Sequence, residues 1–274
     1  MATMKDVARR ARVSIATVSK VVNGSGYVSP EVRARVEAAI AELGYRPNAV
    51  AQSLRSSRTR TVGVVIPDIG NPFWTVMARG LEKVLAEHGY TLLMVSTDEE
   101  PDKERQYLEL LYARRVDGMV VATTGGTEST LAAIAERLPV VLVDRPVSGV
   151  PADVVAEDNV GGAAALIRHL VQVGHRRIGI IDGNLGLATG QARHEGFVQG
   201  LREAGLPAGP EVFYPGGFTF AGGQAGAAHF LDLPPERRPT ALVAANNLMA
   251  AGALRCLKER GVPVPEEMAL VSFG

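Results

Sequence analysis

Cysteine is nearly absent from this sequence: Cys256 is the only one in 274 residues. That excludes an internal disulfide framework and fits a reducing compartment. The five histidines, His88, His169, His175, His194 and His229, lack metal-ligand spacing, so no metal is expected. No apolar run reaches the about 18 residues that a membrane helix requires. The N-terminus is polar and basic, without the apolar segment of a secretory signal. A cytoplasmic protein with no membrane partner is the expectation. No Ser/His/Asp arrangement is legible. The glycine-rich stretch GNLGLATG, residues 183–190, matches neither G-x-G-x-x-G nor a P-loop. No catalytic residue and no cofactor are expected.

Charge is balanced overall, 29 Lys and Arg against 29 Asp and Glu, but unevenly distributed. Residues 1–60 hold 11 basic against 4 acidic side chains, and residues 61–274 hold 18 against 25. A basic terminal module suits nucleic acid, because neutralised phosphates release condensed counterions. Charge alone leaves a solvated helical face as an equal alternative. The pattern within MKDVARRARVSIATVSKVVN, residues 4–23, adds two short helices and a tight turn. Thr3 and Asp6 have near-capping-box spacing, and Val7, Ala8 and Ala11 share one face. Arg12 occupies the turn. Ser14 is placed to cap a second helix, on which Val18, Val21 and Val22 can point inward. Ile15, Ala16, Thr17 and Lys20 are then left at its start and on its outer face, as in a helix-turn-helix. A third helix begins at Ser29-Pro30, carries a stripe of Val32, Val36, Ile40 and Leu43, and ends at Gly44. The following RPNAVAQSLRSSRTR, residues 46–60, reads either as a flexible linker or as a helix over 48–54 that orders on DNA. In the second case Leu54 wedges into a minor-groove base step and Arg55 lines the groove.

From residue 62 onward, apolar runs alternate with amphipathic stretches. Strands are predicted at 62–66, 91–95, 118–121, 140–143, 177–181, 241–244 and 268–273. Helices are predicted at 72–88, 101–113, 127–137, 160–173, 189–204, 220–231 and 247–260. This alternation implies parallel sheets covered on both faces, and the length favours two lobes. Ligands of such sheets sit beyond the carboxyl ends of the strands. Those ends offer Phe73 and Trp74 (the only tryptophan), Asp144 with Arg145, Thr189 and Arg193, and Asn246 with Asn247. Aromatic faces beside a carboxylate, a guanidinium and an amide suit a sugar-like ligand. Equally, Phe73 and Trp74 fit a helix-start core, Asp144 fits a cap or a pair with Arg145, and Arg193 fits a solvated helix.

The sequence resembles the LacI/GalR family of bacterial transcription regulators. The residues that carry the match are KDVA (5–8), VS (13–14), TVSKVVN (17–23), VS (28–29), VRARVEAAIAELGYRPN (32–48) and AxSL (51–54). It continues through VGVVIPDIGNPFW, RRVDGMVV, GHRRIGIIDG and NNLMAAGALRCLKERGVPVPE, and so covers essentially the whole chain. The resemblance implies an all-α helix-turn-helix head (1–46), a hinge helix or linker (47–61) and a periplasmic-binding-protein-like α/β core of two Rossmann-like lobes (62–158, incomplete, and 159–274). It implies a homodimer reading a near-palindromic double-stranded operator, with a carbohydrate-like effector in the cleft. Lys20, Thr17, Ile15 and Ala16 are then expected to specify bases, and Ser14, Asn23 and Tyr45 to contact phosphates. Phe73, Trp74, Asp144, Thr189, Arg193, Phe218 and Asn246 fall where relatives contact effectors.

There are departures. Asn246-Asn247 stands where the family has Asn-Asp, and Ser272-Phe273-Gly274 stands where it has Gly-Phe-Asp-Asp. The resemblance also implies a further segment returning to the first lobe, without which weaker effector binding and lower stability are expected. Two other functions fit less of the sequence. A sugar-binding module with a vestigial head leaves the basic excess unexplained, and an enzyme on a Rossmann-like scaffold lacks a catalytic constellation.

Overall fold

Thr3 starts the first helix as the sequence suggests. Its hydroxyl accepts from the Asp6 amide while the Asp6 carboxylate accepts from the Thr3 amide, a full capping box on α1 (Met4–Ala11). Arg12 closes that helix in the left-handed region, φ 55°, a conformation that costs a Cβ-bearing residue energy. Ser14 caps α2 (Ile15–Val22). Pro30 opens α3 (Pro30–Leu43), but Ser29 at the cap position makes no side-chain cap bond. Proline suits this first position, where its missing N–H would have had no partner within the helix and its fixed φ is already helical. Val7, Val18 and Val36 are fully buried in the core of these helices, with Ala8, Ala11, Val21 and Ala39 around them. The face of α3 is thus Val36 and Ala39, with Val32, Ile40 and Leu43 at its margin. Arg10 and Glu42 tie α1 to α3 at 2.7 Å, an exposed pair contributing under about 1 kcal/mol.

A computed structural model describes residues 2–45 and 58–274. Two units result, Met1–Thr59 and Arg60–Gly274. The expected helix over 48–54, and with it Leu54 and Arg55, lies outside the described residues.

The second unit is built on two parallel sheets. The first has the order β2-β1-β3-β4-β5, from β1 (Thr61–Ile66), β2 (Thr91–Ser96), β3 (Gly118–Val121), β4 (Val140–Val143) and β5 (Asp153–Val155). Its helices are α4 (Pro72–Glu87), α5 (Pro101–Ala113) and α6 (Glu128–Ala135). The second sheet has the order β7-β6-β8-β9, from β6 (Ile178–Asp182), β7 (Phe213–Pro215), β8 (Ala241–Ala244) and β9 (Ala269–Ser272). With it go α7 (Asn159–Gln172), α8 (Ala188–Glu203), α9 (Phe220–Leu231) and α10 (Asn247–Glu259). Strands covered on both faces need apolar residues on both, and β6 and β8 are buried throughout.

Each lobe has its own core. Leu108, Leu111, Leu131 and Leu142 are fully buried in the first, and Ile167, Ile180, Phe197 and Leu257 in the second. Each such side chain contributes about 1.5–3 kcal/mol. Glycine sets the helix spacing in the second lobe. A Cβ at Gly252 of α10 would lie 2.0 Å from the Phe220 carbonyl oxygen of α9, and one at Gly223 would lie 2.1 Å from the Met249 carbonyl oxygen. Cys256 is buried on α10. No helix among the described residues is long and apolar enough to cross a membrane.

Candidate functional site

The start of α2 forms the exposed surface of the head. The Ser14 hydroxyl accepts from the Thr17 amide at 3.1 Å and lies 2.9 Å from the Thr17 hydroxyl. Ser14, Ile15 and Ala16 are exposed and Thr17 half-buried; Ile15 keeps 45% of its surface in water, an unusual exposure for isoleucine. Lys20 is exposed one turn further along, and a Cβ at Gly26 would lie 3.6 Å from its stem. Asn23 donates to the Ser19 hydroxyl at 3.0 Å. Tyr45 is half-buried against the head core. From its start onward α2 therefore presents a helix N-terminus, two exposed apolar side chains and an exposed cation, which is the form of a major-groove reading surface.

In the second unit, one chain of contacts links the carboxyl ends of the two sheets. Phe73 and Trp74 open α4 and meet edge to face, ring centroids 4.8 Å apart. Trp74 is buried against Val64, Ile66 and Ala122, and Arg145 lies over its ring at 5.6 Å. Arg145 is held by two hydrogen bonds to Glu99, 2.7 and 2.8 Å, and one to the Thr123 carbonyl. Asp144, just past β4, has φ 64°. Its nearest cations are Arg193 at 3.7 Å and Arg145 at 3.9 Å, ion-pair distances too long for hydrogen bonds.

Arg193 reaches this point from α8. It donates to Asn159 Oδ1 (2.7 Å) and the Ala245 carbonyl (2.8 Å), and its guanidinium stacks on Phe273 at 4.0 Å and approaches Phe218 at 5.5 Å. Phe218 also sits at positive φ, 66°, which is strained for a bulky residue. A Cβ at Gly183 would lie 2.3 Å from the Phe218 ring, so any side chain there would displace that ring. Asn246 donates to the Phe218 carbonyl (3.2 Å) and caps α10 through the Met249 amide. Thr189 is buried in the first turn of α8, the helix that carries Arg193.

Two buried polar atoms in this cleft have no hydrogen-bond partner among the described residues: Asp144 Oδ1 and Arg145 Nε. Leaving such groups unpaired costs about 1–3 kcal/mol each. Burial raises the Asp144 carboxyl above its usual range, outweighing the pull of Arg193 and Arg145, and it lowers Arg193 below its own. The folded protein thus holds the Asp144 proton more tightly than the unfolded chain does. This group's contribution to stability is complete below the ordinary carboxylate pKa and is lost as pH rises through its raised folded value. Asp144→Asn should therefore flatten the dependence. Melting temperatures measured from about pH 4 to 8 should fall less steeply with pH in the variant than in the parent; parallel curves would contradict this account.

The sequence singled out Phe73, Trp74, Asp144, Arg193, Phe218 and Asn246, and the structure gathers them. It adds Asn159, Phe273 and Glu99, which strand-end reasoning missed. Asn159 sits where the chain leaves the first sheet, and Phe273 follows β9. Both positions were visible, but the partner in each case comes from a distant helix. Asn247, the departure from an acidic residue, donates to Asn71 Oδ1 at 3.2 Å. Asn71 Oδ1 also accepts from the Phe73 amide as the cap of α4. Asn247 therefore hydrogen-bonds the start of α10 to the start of α4, and a carboxylate there could not donate.

Comparisons with known proteins agree with this organisation. Residues 3–48 match the family described as "Bacterial regulatory proteins, lacI family". Residues 59–273 match "Periplasmic binding proteins and sugar binding domain of LacI family". The chain is 35% identical to the HTH-type transcriptional repressor PurR of Aliivibrio salmonicida, over 100% of this chain and 82% of that protein. Among solved structures it is similar to a transcriptional regulator CelR–cellobiose complex, with 32% identity, TM-score 0.68, and coverage of 99% of this chain and 82% of that one. It is also similar to the lac repressor dimer bound to operator and the anti-inducer ONPF, with 26% identity, TM-score 0.86 and the same coverage.

Proposed function

The chain belongs to the LacI family of bacterial regulatory proteins, and from this premise we propose how its residues carry out ligand-controlled repression. It is a DNA-binding transcription regulator with a ligand-binding domain. Two copies would place two α2 helices in successive major grooves of a near-palindromic operator, half-sites about one turn apart. Lys20 would donate to a guanine edge, Ile15 and Ala16 would meet thymine methyls, and Thr17 would complete the readout. Ser14, Asn23 and Tyr45 would fix the register on phosphates, with Leu54 as a minor-groove wedge and Arg55 beside it. The protein acts by binding rather than catalysis, in the cytoplasm beside the chromosome.

In the cleft, the observation that carries the reading is the pair Asp144 Oδ1 and Arg145 Nε, a buried acceptor and a buried donor without partners. A hydroxyl both donates and accepts, so a polyhydroxyl ligand satisfies the two atoms together. Trp74, Phe73 and Phe218 would cover its apolar faces, with Arg193, Thr189 and Asn246 around its rim. This favours a sugar or sugar derivative over a purine. The ligand changes DNA affinity only through its different affinity for two arrangements of the lobes.

Competition binding on single-site operator variants tests the head. Lys20→Ala should lose about 1–3 kcal/mol of discrimination at one base pair of each half-site and little at the others. A uniform loss on every duplex, non-specific DNA included, would reassign Lys20 to phosphate contact.

A further inference from the structure

A separate cavity lies at the opposite end of β6 from the cleft, four residues and roughly 13 Å along the strand. It measures about 190 Å³, below the 300–1,000 Å³ of sites for drug-sized molecules. Ile178, Leu201, Leu206, Phe230 and Leu233 form its apolar walls, and Arg176, Arg177 and Arg237 line it. Arg238 adjoins them in sequence, with its buried Nε unpaired among the described residues.

Charge at this mouth runs against its surroundings. Residues 61–274 carry more acidic than basic side chains, yet none of these four arginines forms an ion pair within 4.0 Å among the described residues. Arg176 donates to the Val171 carbonyl at 3.1 Å and Arg177 to the Arg238 carbonyl at 2.9 Å. Those bonds orient two guanidiniums and leave most of their five donors free. The one lining carboxylate, Glu211, turns back over Gly209, where a Cβ would lie 2.3 Å from its Oε2.

We propose that this cavity binds a small organic monocarboxylate, its single ring or short apolar chain inside and its carboxylate on Arg177 and Arg237. Guanidinium is the side chain suited to planar, two-point recognition of a carboxylate. Apolar walls select against inorganic anions and nucleic-acid phosphates, which have nothing to fill them. The volume matches a single ring or a short chain.

The test titrates the full chain with benzoate, benzyl alcohol and inorganic phosphate, following methyl resonances of Ile178, Leu201 and Leu206 by NMR and Trp74 by fluorescence. Benzoate should shift those methyls saturably and leave Trp74 unchanged. Benzyl alcohol and phosphate should bind at least about tenfold more weakly, the scale of one charge-assisted hydrogen bond. Arg177→Gln combined with Arg237→Gln should weaken benzoate by a similar factor without altering the methyl spectrum of the free protein. The proposal is overturned by no saturation up to about 10 mM, by equal affinity for benzyl alcohol, by phosphate binding as tightly as benzoate (an adventitious ion only), or by shifts confined to Trp74. The alcohol and phosphate comparisons need no variant, so they hold even if the double substitution perturbs folding.

Discussion

Arg193→Leu should abolish the response to sugar while leaving operator affinity within about twofold. Truncating one member of a buried, hydrogen-bonded charge group costs about 2–5 kcal/mol, or roughly 30-fold to several thousand-fold in affinity. Arg193 meets that description: it is 7% exposed and bonded to Asn159 and to the Ala245 carbonyl. It also stands between Asp144 of the first lobe and Phe218 of the second. Arg193→Lys should do little better, because a point charge cannot reproduce two fixed donors and a stacked plane. Trp74 supplies the readout, as the only tryptophan and a wall of the same cleft. A panel of mono- and disaccharides that alters Trp74 emission in the parent should not do so in Arg193→Leu. A variant that binds the same sugar with parental affinity would remove Arg193 from the site.

A large stability effect should come from a glycine as well as from the large core side chains. In Gly252→Val the new Cβ would sit 2.0 Å from the Phe220 carbonyl oxygen and 2.9 Å from the Gln224 amide nitrogen. Both are backbone atoms of α9, which cannot rotate away as a side chain can. Overpacking costs about 1–3 kcal/mol, and a clash with backbone takes the upper end, a fall in melting temperature of about 6–12 °C for a unit of this size. Ala251→Val, one position along on the exposed face, is the control, costing under about 1 kcal/mol through helix propensity alone. Calorimetry on the two variants should separate them clearly. Equal melting temperatures would mean that α9 and α10 can move apart without loss.

Legibility in the sequence followed burial. Strands 118–121, 140–143 and 241–244 and helices 101–113 and 220–231 were readable to the residue, because apolar runs and proline or threonine starts mark them. The strands missed were the two short edges. Asp153–Val155 is exposed along its length, so no burial pattern announces it. Phe213–Pro215 ends in proline, which argues against a strand except at an edge. In the cleft, residues at strand ends were visible by position, while Asn159 and Phe273 acquire their places only through Arg193, which is distant in sequence. The glycine seam was invisible for a related reason: in sequence Gly223 and Gly252 resemble helix weakeners, and only the approach of α9 to α10 explains them.

Selection of bound duplexes from a random DNA library, at near-physiological salt, tests the central claim most directly. The account predicts recovery of a near-palindrome whose half-sites lie about one helical turn apart, with a flexible pyrimidine–purine step at its centre where Leu54 would enter. Recovery of duplexes without a shared sequence, from protein shown to be folded, would contradict it.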